Sequence, residues 1–157
     1  MPSISTWGEL RRARPDEADA IRALVRRAYV KYVIHIGAEP LPMRVDYTRA
    51  IAEHEIWAID GRDGCVALIE LKPEPDHLLI VNVAVDPHHQ GHGLGRRLLD
   101  FAEAEAQRRG FGELRLYTNV KMSENRALYA ARGYRETRQE QKGDLHIIHM
   151  AKPVAAP

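Results

Sequence analysis

One block of this chain limits its fold more than any other. Val81-Asn82-Val83-Ala84-Val85 has the composition of a strand, Asp86 to Gly95 that of a glycine-rich turn, and the residues from Leu94 that of an amphipathic helix. A strand that feeds a helix through glycines builds an anion site. Gly91, Gly93 and Gly95 carry no Cβ, so the turn's backbone N–H groups can close on a ligand. The helix start adds its own unpaired N–H groups and the positive end of its dipole. A phosphate or pyrophosphate is the natural guest.

Spacing narrows the choice of ligand. A Walker loop requires Gly-Lys-Ser/Thr after its glycines, and a dinucleotide fingerprint requires Gly-x-Gly-x-x-Gly; neither pattern fits Gly91, Gly93 and Gly95. What stands here is Gln90-Gly91-x-Gly93-x-Gly95 after Val83-Ala84-Val85-Asp86-Pro87, followed by a second motif, Asn125-Arg126-Ala127-Leu128-Tyr129-Ala130-Ala131-Arg132-Gly133-Tyr134. Together these resemble the GNAT superfamily of N-acetyltransferases, and the resemblance runs from about Glu9 to Lys152. It implies an α/β fold with about four helices around a mixed, mostly antiparallel sheet that splays beside the cofactor strand. It also implies use of acetyl-CoA as acetyl donor.

Composition agrees without pointing there. At 157 residues the chain is expected to form one domain, with a core over about 9–152 and a frayed tail over 153–157. A formal net charge of +1 gives no global basic field, so no nucleic-acid partner is expected. The single cysteine, Cys65, forbids an intrachain disulfide and reads as a buried thiol rather than a nucleophile. No apolar run approaches the length of a membrane span, and a cytoplasmic protein, monomer or homodimer, is the expectation.

Along the chain, Glu9 to Arg14 reads as a short strand and Pro15 onward as a helix, with Ile21, Leu24, Val25, Ala28 and Tyr32 at helical spacing. Gly37, Pro40 and Pro42 interrupt any element, which makes Ile34 to Arg44 a loop; Val45 to Glu53 resumes a helical pattern. Ile56 to Asp60 and Cys65 to Leu71 form a hairpin, and Leu78 to Val85 a third antiparallel strand. The helix after the glycine loop ends at Gly110, and Leu114 to Thr118 is a strand, completing a right-handed crossover. A short helix from about Ser123, read as its N-cap, ends at Gly133. Tyr134 to Glu140 and Leu145 to Met150 close the sheet around Lys142-Gly143.

The resemblance assigns roles residue by residue. The pantetheine arm would lie along the main chain of Val83, Ala84 and Val85, where a backbone N–H polarises the acetyl carbonyl. The pyrophosphate would rest on the backbone of Gln90, Gly91, His92, Gly93, Leu94, Gly95 and Arg96, with Arg96 or Arg97 adding charge. Asn125 would touch the cofactor arm, and Tyr129, one turn on, would give a proton to the departing thiolate. Tyr134 is read as core. His88, His89 and His92 do not present facing ring nitrogens in a tight loop, and no metal is expected.

The general base has no equivalent in this sequence. Family members that use a glutamate on the cofactor strand have no counterpart in Leu79-Ile80-Val81-Asn82, and an asparagine cannot accept the proton. Glu70, His77 or a water chain ending at either is the alternative, with His146 and His149 behind them. The loop Tyr32 to Tyr47, with its Pro40-Leu41-Pro42-Met43, is expected to wall the acceptor pocket. The reading is an N-acetyltransferase acting on a primary amine of a small molecule or a peptide. The alternatives are a non-catalytic acyl-CoA-binding regulatory module, which the missing carboxylate favours, and a nucleotide-binding domain of another kind, whose motifs are absent.

Overall fold

The structure, a computed structural model, describes residues 7–156. Seven strands form one sheet in the order β1-β2-β3-β4-β5-β7-β6, with every neighbouring pair antiparallel except β4 and β5. They are β1 (Arg11–Arg12), β2 (Glu55–Gly61), β3 (Gly64–Pro73), β4 (Leu78–Val85), β5 (Glu113–Asn119), β6 (Arg135–Lys142) and β7 (Leu145–Pro153). Four helices accompany them: α1 (Ala18–Ile36), α2 (Tyr47–Glu53), α3 (Leu94–Arg108) and α4 (Ser123–Ala131). This is the fold expected from the sequence.

Period-2 burial on β4 divides the core into two layers. Asn82 and Ala84 face α1 and α2 in a cluster with Leu24, Val25, Tyr47 and Leu68, while Val83 and Val85 face the layer of α3, with Leu98, Leu99 and Tyr129. Each fully buried leucine here contributes about 2 kcal/mol through area removed from water. α3 is fixed further by Arg109, whose guanidinium meets Glu55 on β2 at 2.8 Å and Glu105 one turn earlier at 2.7 Å.

Several boundaries differ from the sequence reading, each for a tertiary reason. The first strand is only Arg11–Arg12, although Gly8 and Ala13 still hydrogen-bond to Asp60 and Ile56 on β2. α1 continues through Ile36, which is buried, so the loop begins at Gly37 rather than Ile34; Leu41–Arg44 then makes a 3-10 turn. Asp46 caps α2 by accepting from the N–H groups of Thr48 and Arg49. Ser123 is the first helical residue of α4 and Met122 the N-cap, without any side-chain cap. The tail is held rather than frayed: β7 extends to Pro153, Val154 N–H donates to Gly112 O, and Gln107 donates to Ala156 O.

The register of β4 creates the opening that matters. Glu70 pairs with Asn82 but Leu71 pairs with Ile80, so Val81 is an extra residue that bulges β4 against β3. On its other edge β4 pairs with β5 only over Leu78, Leu79 and Ile80. From Val81 to Val85 that edge is free of strand pairing, and the two parallel strands splay apart at their carboxyl ends. Open sheets bind ligands at such a point.

Candidate active site

Two connected cavities fill the splay. The larger, about 240 Å³, runs from the glycine loop along β4; it is lined by Val83, Ala84, Val85, Gln90, Gly91, Gly93, Leu94 and Gly95, by α1 through Tyr29 and Tyr32, and by Asn125 and Tyr129 of α4. The smaller, about 40 Å³, lies between β4 and β5 beneath Pro40, Leu41 and Pro42. Tyr29, Val83, Asn125 and Tyr129 border both, so a group travelling down the cleft along β4 would arrive at the inner cavity.

The loop has the conformation that its glycines permit. Gly91 and Gly93 have φ of +84° and +81°, and a Cβ built on either would meet no atom within 4 Å. Gly93 is the N-cap of α3 and caps it with no side chain. The turn is therefore shaped around an empty concavity beside a helix start, which fits a phosphate-bearing ligand. Asp86 fixes the loop's base, accepting from His88 N–H at 2.9 Å and from Arg27 Nε at 3.0 Å.

Two of the sequence assignments are displaced. His92 does not line the cleft; with His89 it turns the other way, onto the Trp7 ring, at centroid distances of 6.1 and 5.3 Å. Arg97 donates to Gly8 O at 2.9 Å and ties down the segment before β1. Arg96 is exposed on the first turn of α3 and among the described residues meets no carboxylate, so of the two arginines it is the one available near the loop. Among the described residues no group of three or more His, Cys, Asp or Glu side chains is arranged to hold a metal ion.

Tyr129 is buried, and desolvation pushes its hydroxyl up to about 12, so it keeps its proton throughout the neutral range. It shares an edge-on contact at 5.9 Å with Tyr134, itself a core residue 2% exposed. Asn125 lies one turn before Tyr129 and borders both cavities.

Asn82 organises the inner cavity. The Tyr29 hydroxyl lies 2.8 Å from both Asn82 Oδ1 and Val83 O, while Asn82 Nδ2 donates to Tyr47 Oη at 3.3 Å and that hydroxyl donates to Pro42 O at 2.6 Å. One amide thus joins α1, α2 and the Pro40–Pro42 wall to β4. Of the sequence Pro40-Leu41-Pro42-Met43, the first three residues line the inner cavity and Met43 does not, and sequence reasoning missed the side chain that fastens them.

The two candidate bases separate clearly. His77 precedes the first residue of β4, about 25 Å along the strand from Val85 at ~3.3 Å per residue, and its Nδ1 faces Asp76 at 2.7 Å. It borders neither cavity. Glu70 is buried behind Asn82, 1% exposed, with Oε2 2.6 Å from His54 Nδ1 and Oε1 without a partner. Burial raises its pKa against the opposing hydrogen bond from His54, and its charge bears on the Tyr47 and Tyr117 hydroxyls. Tyr117 lines the inner cavity, although Glu70 itself does not. His146 and His149 are engaged by Gln139 and Glu140 on β6.

The profile of the acetyltransferase (GNAT) family matches residues 19–134, most of the chain. The chain belongs to this family. Among GNAT relatives, mycothiol acetyltransferase of Thermobifida fusca is 32% identical over 130 residues, covering 79% of this chain and 38% of that protein. The [ribosomal protein bS18]-alanine N-acetyltransferase of Escherichia coli K12 is 38% identical over 61 residues, 39% of this chain and 41% of that one. The chain thus spans less than half the length of these curated relatives. In fold, it superposes on the PaiA N-acetyltransferase of Thermoplasma acidophilum in complex with coenzyme A, with a TM-score of 0.77 at 19% identity over 92% of this chain and 98% of that one.

Proposed function

We propose that this GNAT protein transfers an acetyl group from acetyl-CoA directly to a primary amine. The observation that carries the reading is the continuity of one cleft: the glycine cradle, the unpaired edge of β4 and the Asn125–Tyr129 pair all border it, and it opens into the inner cavity. The donor supplies an activated thioester.

The chain's own residues then have distinct tasks. Backbone N–H groups from Gln90 to Gly95 and the start of α3 hold the pyrophosphate, with the Arg96 guanidinium beside them. The free edge of β4 at Val83, Ala84 and Val85 pairs with the pantetheine amides, and a backbone N–H there polarises the acetyl carbonyl. Asn125 orients the arm, and Tyr129 gives its hydroxyl proton to the departing sulfur. On the acceptor side Glu70 receives the amine's proton by way of the Tyr117 hydroxyl or water, and His54 sets the orientation of the carboxylate. No covalent enzyme intermediate is needed. Among the described residues Cys65, the one free cysteine, borders neither cavity, and burial pushes its thiol up to about 11.

One feature favours a second reading: no carboxylate lines the inner cavity, as a non-catalytic acyl-CoA-binding module would have it. Two measurements separate them. Thermal unfolding with acetyl-CoA, CoA, ATP and NAD should show stabilisation by the two CoA species alone, about 2.7 kcal/mol at a hundredfold excess over Kd. Thiol release from acetyl-CoA in the presence of an amine panel should then rise above the rate without amine. Stabilisation without amine-dependent release would establish the binding module; a shift with ATP or NAD alone would withdraw the acetyltransferase reading.

A further inference from the structure

Charge around the inner cavity is uneven. A groove lined by Lys31, Tyr32 and His35 of α1 and by Lys121, Met122, Ser123 and Glu124 shares Met122 with the inner cavity and Lys31, Tyr32 and Glu124 with the cleft. Most Lys and Arg side chains of the protein sit in ion pairs, but among the described residues Lys31 and Lys121 meet no carboxylate. Lys31 Nζ stands 5.1 Å over the Tyr32 ring and 3.4 Å from Gln90 Oε1, and Lys121 Nζ donates only to Ile36 O at 3.3 Å. His35 Nε2 lies 3.0 Å from Lys121 O. At the groove's end α4 begins without a side-chain cap, so its first N–H groups add partial positive charge. Glu124 is the acid on this wall.

Resting on the acetyltransferase reading, we propose that this groove binds an anionic group of the acceptor: the substrate is an amine that also carries a carboxylate. Two unpaired ammonium groups beside an opening into the reaction cavity attract an anion and repel a second cation. A diamine or polyamine acceptor would bring its distal ammonium to Lys31 and Lys121. The phosphates of the donor have their own cradle at Gly91 and Gly93; Lys31 stands between that cradle and the groove, whereas Lys121 lines the groove alone, next to Met122 of the inner cavity. Two exposed carboxylate–ammonium contacts, one to each lysine, together correspond to about tenfold in kcat/KM.

The test compares ω-amino acids from β-alanine to 6-aminohexanoate with alkylamines and diamines of equal chain length, whose amines have similar basicity. At the length that spans groove and cavity, the amino acid should exceed the alkylamine about tenfold in kcat/KM and the diamine should trail both. In Lys121→Gln the ratio of amino acid to alkylamine should fall towards one. A second readout needs no turnover: calorimetric titration of the CoA-bound protein with the same amino acid should show binding that Lys121→Gln weakens. Equal kcat/KM for acid and alkylamine at every length would overturn the inference while leaving the acetyltransferase reading intact. So would a Lys121→Gln variant that loses affinity for CoA but not for 3′-dephospho-CoA, which would assign the groove to the donor's phosphate. Absence of any CoA affinity would remove the underlying reading and this inference with it.

Discussion

Gly93 and Gly110 flank α3 with the same backbone, φ +81° at both, and a Cβ at either would meet no atom within 4 Å. Replacing either by alanine therefore costs left-handed backbone strain and nothing from clashes, about 1–2 kcal/mol. For a chain of this size that lowers Tm by roughly 2–8 °C, alike in both variants. Of the two, Gly93 alone borders the cleft proposed for the cofactor. Its new methyl would occupy the concavity where a phosphate oxygen must approach the N–H groups, and the loss of one charge-assisted hydrogen bond is about 1.5–3 kcal/mol. CoA affinity should fall roughly 10- to 150-fold in Gly93→Ala and stay at the parent value in Gly110→Ala. Thermal unfolding without ligand and calorimetric titration with CoA measure the two effects separately. Equal CoA affinity in the two variants would refute the placement of the pyrophosphate on this loop.

Among the described residues the Tyr129 hydroxyl has no hydrogen-bond partner, so in Tyr129→Phe Tm should hold while kcat falls at least tenfold and CoA affinity changes little; unchanged turnover would leave Tyr129 a packing residue. Because its pKa lies at about 12, ionisation of Tyr129 should not limit the rate below pH 10. Glu70 is raised by burial, so its contribution is full below the unfolded value and declines as pH rises through the folded one. Glu70→Gln should therefore raise Tm at pH 7 relative to the parent, leave it unchanged near pH 4, and lower kcat; a lower Tm at pH 7 would make the His54–Glu70 hydrogen bond net stabilising. Arg109→Leu leaves Glu55 and Glu105 facing each other half-buried, for a loss of about 2 kcal/mol near pH 7. Arg109 holds Glu55 below the usual carboxylate range, and Arg108, then Arg109, hold Glu105 at about 2. Their support is present above pH 4.5 and lost towards pH 2, so the penalty should shrink in acid; the same penalty at pH 3 and pH 7 would count against the charge network.

Elements with a strong local pattern were legible from the residues. β4 and α3 stand where the strand-like run Leu78 to Val85 and the amphipathic stretch from Leu94 place them, because burial sets both patterns. Boundaries decided by distant contacts were not. Ile36 belongs to α1 because it is buried with α2, and Val154 is held by Gly112, partners that are remote in sequence. Likewise the strand end beside Pro153 carries no periodicity of its own.

The site divides along the same line. The glycines, Asn125 and Tyr129 are placed by local backbone geometry and helical spacing, which a sequence displays, and all of them border the cleft. Side chains that act across the sheet are invisible in this way: His54 reaches Glu70 from the end of α2, and Lys121 joins Lys31 through a turn that follows β5. Asn82 shows why the difference matters. In sequence it marks the absence of a carboxylate, a loss of function at a strand position. In the fold its amide gives both an acceptor and a donor to hydroxyls on two helices, which an ionised carboxylate, an acceptor only, could not do. A carboxylate at residue 82 would leave Tyr47 without that donor, so a proton acceptor for this cavity has to stand elsewhere. Glu70, its cross-strand partner, is the buried carboxylate that this register provides.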